Sequence, residues 1–230
     1  MKSVLIELFK KYDIKISDGQ IEKLCKLYEL VLCWNQNINL TSITEKNDFA
    51  VLHLLDSIIC LDFFKNVKKV VDIGTGAGFP AFPLAILLPN IEFTLVDSIN
   101  KKTNFHNLVI KELKLENVKA VNARIEGFAK KNFEMFDVVT ARAVAKMPTL
   151  LEYAMPLLKI NGMFLAYKSQ QVEQEIQDSK KALEILGGKF EKDLNFEFEN
   201  LNRKIILVKK IKNTPKIYPR EQNKPRTKPL

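Results

Sequence analysis

The segment VVDIGTGAGFPAFPLAI, residues 70–86, sets Gly74, Gly76 and Gly78 within five consecutive positions, three of the eight glycines in the chain. The run KVVDI reads as a strand and the apolar stretch from about 81 to 88 as a helix, so the glycines form the turn between them. In an open α/β sheet that turn faces the crevice beyond the strand ends, where ligands bind. Glycine allows the tight turn and lets a ligand approach the backbone more closely than a Cβ would permit. The spacing is GxGxG followed by Phe79-Pro80. In the GxGxxG of dinucleotide sites the third glycine clears the helix so that pyrophosphate can sit over its N-terminus; here bulky Phe79 stands in that place, and pyrophosphate fits poorly.

Outward from the turn, short apolar runs alternate with amphipathic stretches. Strand EFTLVD precedes a helix at 99–114, strand NVKAVNA a short helix near 125–130, and strand FDVVTA a helix at 148–158. A turn at Asn161-Gly162, strand MFLAYK and a helix at 170–186 follow. The segments FEKDLNFEF and RKIILVKKI, separated by Glu199-Asn200-Leu201-Asn202, read as a hairpin. Five β-α repeats predict an α/β protein with a parallel, doubly wound sheet. The antiparallel hairpin extends it to seven strands, the Rossmann-like sheet of methyltransferases that use S-adenosylmethionine (SAM). SAM carries no phosphate, so its methionine part can lie along the glycine backbone and its adenosine against apolar side chains. Asp97 ends the second strand, where its carboxylate can accept from both ribose hydroxyls. That acid suits either ligand; Phe79 and the hairpin favour SAM.

Residues 1–64 read as a helical cap, 65–211 as the cofactor-binding core and 212–230 as a basic tail. In the cap, Ser17-x-x-Gln20 is a capping box opening a helix with Ile21, Leu24, Leu27, Val31 and Trp34 near one face. A second helix from about Thr44 has Phe49, Leu52, Leu55 and Ile59 as its stripe. At 230 residues and 47% hydrophobic content the chain can bury a real core. No apolar run approaches the roughly 18 residues of a membrane span, and the charged start is unlike a signal peptide. Cys25, Cys33 and Cys60 form no CxxC pair and fit reduced core thiols. The expectation is a cytoplasmic monomer with no membrane partner. Net charge is +9, and Lys209–Leu230 carries eight Lys/Arg against one Glu. Pro215, Pro219, Pro225 and Pro229 exclude a regular helix there and predict an extended run along a surface, either a solvated tail or a contact for a polyanion.

Several strings agree at once with one family. CWNQNINLTSI and HLLDSI in the cap, DIGTGAGFPAFPLAI at the turn, VDSINKKTNF, ARIE, ARAVA and YPREQNKPRTKPL at the end resemble the bacterial RsmG family, also called glucose-inhibited division protein B. The resemblance spans nearly the whole chain. It implies SAM as donor and N7 of a guanine in 16S ribosomal RNA, near the decoding site of the small subunit, as acceptor. By position, the family's cofactor contacts fall on Gly74, Phe79, Ile125, Glu126 and Arg142; Asp72, Gly76, Gly78, Asp97 and Ser98 complete the candidate set. Ala81, Ile125 and Asn223 depart from the usual glycine, alanine and glycine.

Guanine N7 carries an in-plane lone pair and no proton, so methylation there needs alignment and no general base; orientation can supply roughly 7–11 kcal/mol of the barrier. The Asn/Asp-Pro-Pro-aromatic box of amino-group methylation does not occur, and all three cysteines precede the cofactor turn. Arg142, at the end of the fourth strand, is assigned an orienting role, the alternative being a salt bridge to Glu126 or Asp97. Lys101, Lys102, Arg124, Lys168 and Arg220 are candidate RNA contacts. Lys101 and Lys102 open a helix where cations oppose the dipole, so local stability gives no reason for them. Glu126 is expected to meet the adenine amino group. His53 and Asp56 share a helix face and read chiefly as a structural hydrogen-bonding pair, with no metal site. His106 reads as exposed, and Trp34 as packing within the cap. A small-molecule methyltransferase and an RNA-binding assembly protein with a relict SAM pocket are the competing functions.

Overall fold

The computed structural model describes residues 1–168, 172–198 and 201–230. The chain opens with α1 (Lys2–Lys11), α2 (Asp18–Asn35), α3 (Lys46–Phe49), a π-helical turn (Ala50–Leu55) and α4 (Asp56–Ile58). The alternating region runs β1 (Lys69–Ile73), α5 (Ala81–Leu87), β2 (Glu92–Asp97), α6 (Asn100–Glu112), β3 (Val118–Asn122), α7 (Ile125–Lys131), β4 (Phe136–Arg142), α8 (Met147–Ala154) and β5 (Leu158–Lys168). Helices α9 (Glu173–Asp178) and α10 (Lys180–Leu186) lead to the hairpin β6 (Gly188–Phe198) and β7 (Leu201–Lys210), and α11 (Lys224–Thr227) lies in the tail.

The seven strands are ordered β3-β2-β1-β4-β5-β7-β6, parallel except for β7, which runs antiparallel to both β5 and β6. Because side chains alternate along a strand, each strand feeds two cores. Val70, Val138, Leu165, Ile205 and Leu207 join the cap helices, α5 and α6 in one cluster; Val71, Val139, Phe164, Ile206 and Val208 join α7, α8 and α10 in the other. Strand order reverses between β1 and β4, which opens a crevice at their carboxyl ends.

The capping box forms: Gln20 N donates to Ser17 Oγ at 3.3 Å and Ser17 N to Gln20 Oε1 at 2.9 Å. Gln20 Nε2 also donates to the carbonyl of Ile86, at 3.2 Å, and so ties the cap to the end of α5. Trp34 packs on Phe105 with ring centroids 5.7 Å apart.

Four local expectations are corrected. The helix from Thr44 starts at Lys46 and loosens into the π turn, with His53, Leu54 and Asp56–Ile58 buried besides Phe49 and Leu55, while Leu52 and Ile59 are half-buried. Asn161-Gly162 is not a turn ahead of the strand: β5 already begins at Leu158 and runs through it with Asn161 at φ 68°, and the register against β4 shifts between Phe136 and Val138. The helix expected at 170–186 is broken at Ser179, whose hydroxyl donates to the carbonyl of Glu175 at 2.6 Å; its first residues, 170–171, lie outside the described residues. The hairpin pairs as far as Phe198 opposite Leu201, and 199–200 of its turn also lie outside the described residues. No helix among the described residues is long and apolar enough to cross a membrane.

Candidate active site

All three glycines of the first turn have positive φ: 63° at Gly74, 60° at Gly76 and 91° at Gly78. A Cβ on Gly78 would lie 2.1 Å from the Phe82 ring, and one on Gly74 2.9 Å from Val144. Amides of Gly74 and Thr75 donate to the carbonyl of Val96 at 2.8 and 3.2 Å, which docks the turn on β2. Asp97 secures it further: Gly76 N donates to Oδ2 at 3.0 Å and Ile99 N to Oδ1 at 2.9 Å. His106, expected exposed, is fully buried, because its Nε2–H supports the turn from below by donating to the carbonyl of Gly76 at 2.7 Å. Burial lowers its pKa, which keeps the ring neutral for that bond.

Above the turn lies a cleft of about 260 Å³ lined by Ile73, Gly74, Val96, Asp97, Ser98, Ala123, Arg124, Ile125, Glu126, Val144, Tyr153, Asn223 and Arg226. Ile73, Val96, Ile125 and Val144 supply the apolar walls an adenine needs, and Asp97 a carboxylate for ribose. Asp72 lies beneath the same turn. Its Oδ1 accepts from Thr140 Oγ1 at 2.7 Å, and its buried Oδ2 has no hydrogen-bond partner. Thr75 Oγ1, likewise buried without a hydrogen-bond partner, lies beside it. The ammonium of a methionine moiety is the charged donor this buried carboxyl lacks, and the residues present fit SAM.

Burial lifts the Asp72 carboxyl from its ordinary 3.8 to about 7. A raised carboxyl pKa means the folded protein holds a proton the unfolded chain has released, so the Asp72 contribution to stability falls as pH rises from about 4 to about 7. A bound ammonium reverses that preference. SAM binding is therefore expected to release a proton near pH 7 and to tighten as pH rises through that value. Calorimetry in buffers of different ionisation enthalpy reads the proton directly, and Asp72→Asn should abolish it; equal proton release in both proteins would reject the assignment.

Beside the cleft, Arg142 at the end of β4 is fixed by the cap. Its Nη1 donates to Asp56 Oδ2 at 2.8 Å and to the carbonyl of Leu52 at 3.1 Å, and its Nη2 to His53 Nδ1 at 2.9 Å. Neither Glu126 nor Asp97 is its partner: Glu126 pairs with Arg124 at 3.1 Å. Burial, reinforced by Arg142, pushes the His53 pKa down to about 3, so the ring is neutral, with Nε2–H donating to Thr41 Oγ1 at 2.7 Å. His53 also stacks on Phe79, with centroids 4.5 Å apart and planes 5° apart, and the Arg142 guanidinium lies 5.3 Å from the same ring. Phe79 is thus buried under Arg142 rather than in the cleft wall. Arg142 has five N–H groups, and three are engaged; Nε–H and one Nη2–H remain among the described residues.

A second pocket, about 470 Å³, opens on the other side of Arg142 and Ala143, walled by His53, Asp56, Tyr167, Lys168, Glu175, Arg203 and Lys204 among others. Lys168 Nζ donates to Glu175 Oε2 at 2.6 Å and to the carbonyl of Ala145 at 2.9 Å. Arg203 Nε donates to Asp56 Oδ1 at 3.2 Å. Lys101 is exposed and Lys102 half-buried at the start of α6, outside both linings; Arg124 is largely exposed at the rim. Arg220 turns inward: its Nε and Nη2 donate to Glu152 at 2.9 and 2.7 Å, which removes it from the phosphate-facing set. Cys60 is buried against the Tyr167 hydroxyl at 2.6 Å, and burial pushes its thiol up to about 12, unsuited to nucleophilic attack. Among the described residues no three His, Cys, Asp or Glu side chains are placed to hold a metal ion.

Arg203, Asn223, Arg226 and Tyr153 were not among the candidates. Arg203 had a signal: it shares the inward parity of Ile205 and Leu207 on β7, where an arginine needs a buried partner. Asn223 and Arg226 lie in YPREQNKPRTKPL, a string that carries the family resemblance, but nothing in it placed them at the cofactor cleft.

Solved structures share the architecture. Cofactor-bound Rv0187 from MTB aligns with a TM-score of 0.59 at 13% identity, covering 84% of this chain and 91% of that one. A SAM dependent methyltransferase from Aquifex aeolicus aligns with a TM-score of 0.52 at 17% identity, covering 69% and 92%. Sheet order and cleft together define a Rossmann-like, SAM-dependent methyltransferase. Residues 20–206 match the model of the family GidB, rRNA small subunit methyltransferase G. Ribosomal RNA small subunit methyltransferase G of Desulfitobacterium hafniense is 48% identical over 225 residues, 96% of this chain and 94% of that protein. The protein of the same name from Alkaliphilus oremlandii is 40% identical over 236 residues, 100% and 99% of the two chains. The chain belongs to the small-subunit rRNA methyltransferase G (GidB) family.

Proposed function

We propose that the protein transfers the methyl group of SAM to N7 of a guanine in 16S ribosomal RNA without a general base. The observation that carries this reading is Arg142, which lines the second, cation-lined pocket two residues before Val144 of the cofactor cleft, with two N–H groups that no described residue engages. When bound, SAM supplies an electrophilic methyl on a sulfonium. Asp72, the glycine turn, Asp97, Ser98, Ile125 and Glu126 hold it, and Arg142 is directed to guanine O6 so that N7 is left open to the methyl. The commonest base-specific contact is an arginine bidentate to guanine O6 and N7, and a methyl acceptor requires the O6 half of it alone. N7 has no proton to lose, so neither Asp56 nor His53 has to act as a base. His53 is unfit for it in any case, its pKa being pushed down to about 3 and both ring nitrogens being engaged.

Lys101 and Arg124, both exposed, and half-buried Lys102 are the proposed backbone contacts, with Lys168 at the second pocket. Residues 1–64 act as the acceptor-side cap and 65–211 as the cofactor core. The substrate class supports the cytoplasm as the protein's place. The test is to incubate the protein with labelled SAM and small-subunit particles from cells lacking it, then map the label. Modification at guanine N7 of 16S RNA is expected. Label on another atom, on another RNA or only on small molecules would reject the proposal. Replacing Lys101 and Lys102 together by Ala should leave SAM affinity intact, weaken RNA binding and lower its logarithmic salt slope by about 1–2. An unchanged slope removes them from the interface.

A further inference from the structure

The tail beyond β7 is basic and rich in proline, yet it is bound to the protein body at every stage of its path. Lys210 is fully buried, with Nζ 2.6 Å from the carbonyl of Met155, 2.7 Å from Thr214 Oγ1 and 3.1 Å from Glu134. Thr214 Oγ1 in turn donates to the carbonyl of Leu186 at 2.7 Å. Further along, Arg220 meets Glu152 of α8 by three donors: its backbone N at 2.8 Å, Nε at 2.9 Å and Nη2 at 2.7 Å. Thr149 Oγ1, also on α8, donates to the carbonyl of Pro225 at 2.8 Å.

Glu152 has 0% exposed surface. A carboxylate inside an otherwise apolar helix costs several kcal/mol unless a partner compensates it, and its partner here is Arg220 of the tail. That investment fixes one thing, the position of the segment that follows. There Asn223, in the left-handed region at φ 61°, and Arg226 form part of the cofactor-cleft lining beside Asp97, Ser98 and Glu126. Asn223 Oδ1 lies 3.5 Å from Arg124 Nη2, and Arg226 Nη2 lies 3.4 Å from the carbonyl of Val144. Both contacts are at the limit of hydrogen-bond length; Arg226 also interacts with the Tyr153 hydroxyl, and its remaining N–H groups and the Asn223 amide are left for a ligand.

We propose that residues 212–230 form a strap that completes the SAM site, with Asn223 and Arg226 contacting the adenosine moiety and the Glu152–Arg220 pair acting as positioning residues. Apolar walls recognise adenine poorly by themselves, since its ring nitrogens and amino group lose water on entry and need donors and acceptors in return. An amide and a guanidinium supply these. The strap thereby accounts for the basic tail through the cofactor instead of through RNA. The inference rests on the cofactor cleft and not on the identity of the acceptor.

Titration of SAM into the full-length protein, with no RNA present, tests it. Replacing Asn223 and Arg226 together by Ala should weaken SAM at least 10-fold, and S-adenosylhomocysteine by the same factor, because the two share their adenosine. Glu152→Gln should weaken both ligands and raise amide exchange across 212–230, with added SAM restoring part of the protection. Should Glu152→Gln fail to fold, the Asn223/Arg226 variant still decides the matter, since both side chains are at the surface of the tail. Wild-type affinity in that variant overturns the strap. Failure of the wild-type protein itself to bind SAM would instead overturn the cofactor assignment.

Discussion

Asp56→Ala is expected to destabilise the protein by about 3 kcal/mol and to abolish methyl transfer. Asp56 is buried and takes two guanidinium groups, Arg142 Nη1 on Oδ2 at 2.8 Å and Arg203 Nε on Oδ1 at 3.2 Å. Removing one side of a buried ion pair typically costs about 3–5 kcal/mol, because the remaining charge is left uncompensated. Here two like charges are left facing each other. Side-chain exposures of 16% for Arg142 and 28% for Arg203 allow some relief by water, which puts the expectation at the lower end of that range. Denaturant unfolding measures the loss, and Asp56→Ala combined with Arg203→Leu should recover part of it by removing one of the stranded charges. The catalytic loss has a separate origin: without Asp56 the guanidinium of Arg142 loses its strongest anchor and can swing out of its place in the wall of the second pocket. A stability change below about 1 kcal/mol, with methyl transfer retained, would show that the carboxylate holds neither arginine in place.

Much of the sheet was legible because its signals are local. KVVDI, EFTLVD and FDVVTA begin where β1, β2 and β4 begin, since each is a short apolar run bounded by turn residues. The glycine turn was legible for the same reason: all three glycines have positive φ, which favours glycine, and at Gly74 and Gly78 a Cβ would also clash. What sequence could not supply was any relation set by long-range packing. The sequence reading offered Arg142 two acids, Glu126 and Asp97; its pairing with Asp56 instead, across 86 positions, follows from how the π turn carries His53 and Asp56 onto the end of β4. His106 sits on a helix face that reads as polar, but its position beneath the carbonyl of Gly76 is a tertiary fact. Asn161-Gly162 is a turn signal by composition. In the structure Gly162 is needed because a Cβ would lie 2.9 Å from the carbonyls of Asp137 and Lys159, a close approach inside a continuous strand. The tail was misread on the same ground, its arginine being counted as charge when Glu152 had already engaged it.

Asp97→Ala is expected to weaken SAM by about 100-fold, roughly 2.7 kcal/mol, and to lower stability as well. The carboxylate has two duties that the sequence reading had not separated. One is the expected role as acceptor for the ribose hydroxyls, at the end of β2 in the cleft lining. The other is structural, holding the glycine turn through Gly76 N at 3.0 Å and the start of α6 through Ile99 N at 2.9 Å. Hydrogen bonds to a charged group contribute about 1.5–3 kcal/mol each, so the turn loses a comparable share of its anchoring when the carboxylate goes. The bonds from Gly74 N and Thr75 N to the carbonyl of Val96 remain and keep the strand end in register, which is why folding survives. Asp97→Asn separates the two duties. Its amide oxygen can replace one backbone contact, and it offers ribose a neutral partner in place of an ionised one. SAM affinity should therefore fall by a smaller factor than in Asp97→Ala, with most of the stability retained. Calorimetric titration of both variants, each checked for cooperative unfolding, reads the two effects apart. Wild-type affinity in a folded Asp97→Ala protein would place the ribose elsewhere and reduce Asp97 to a brace for the turn.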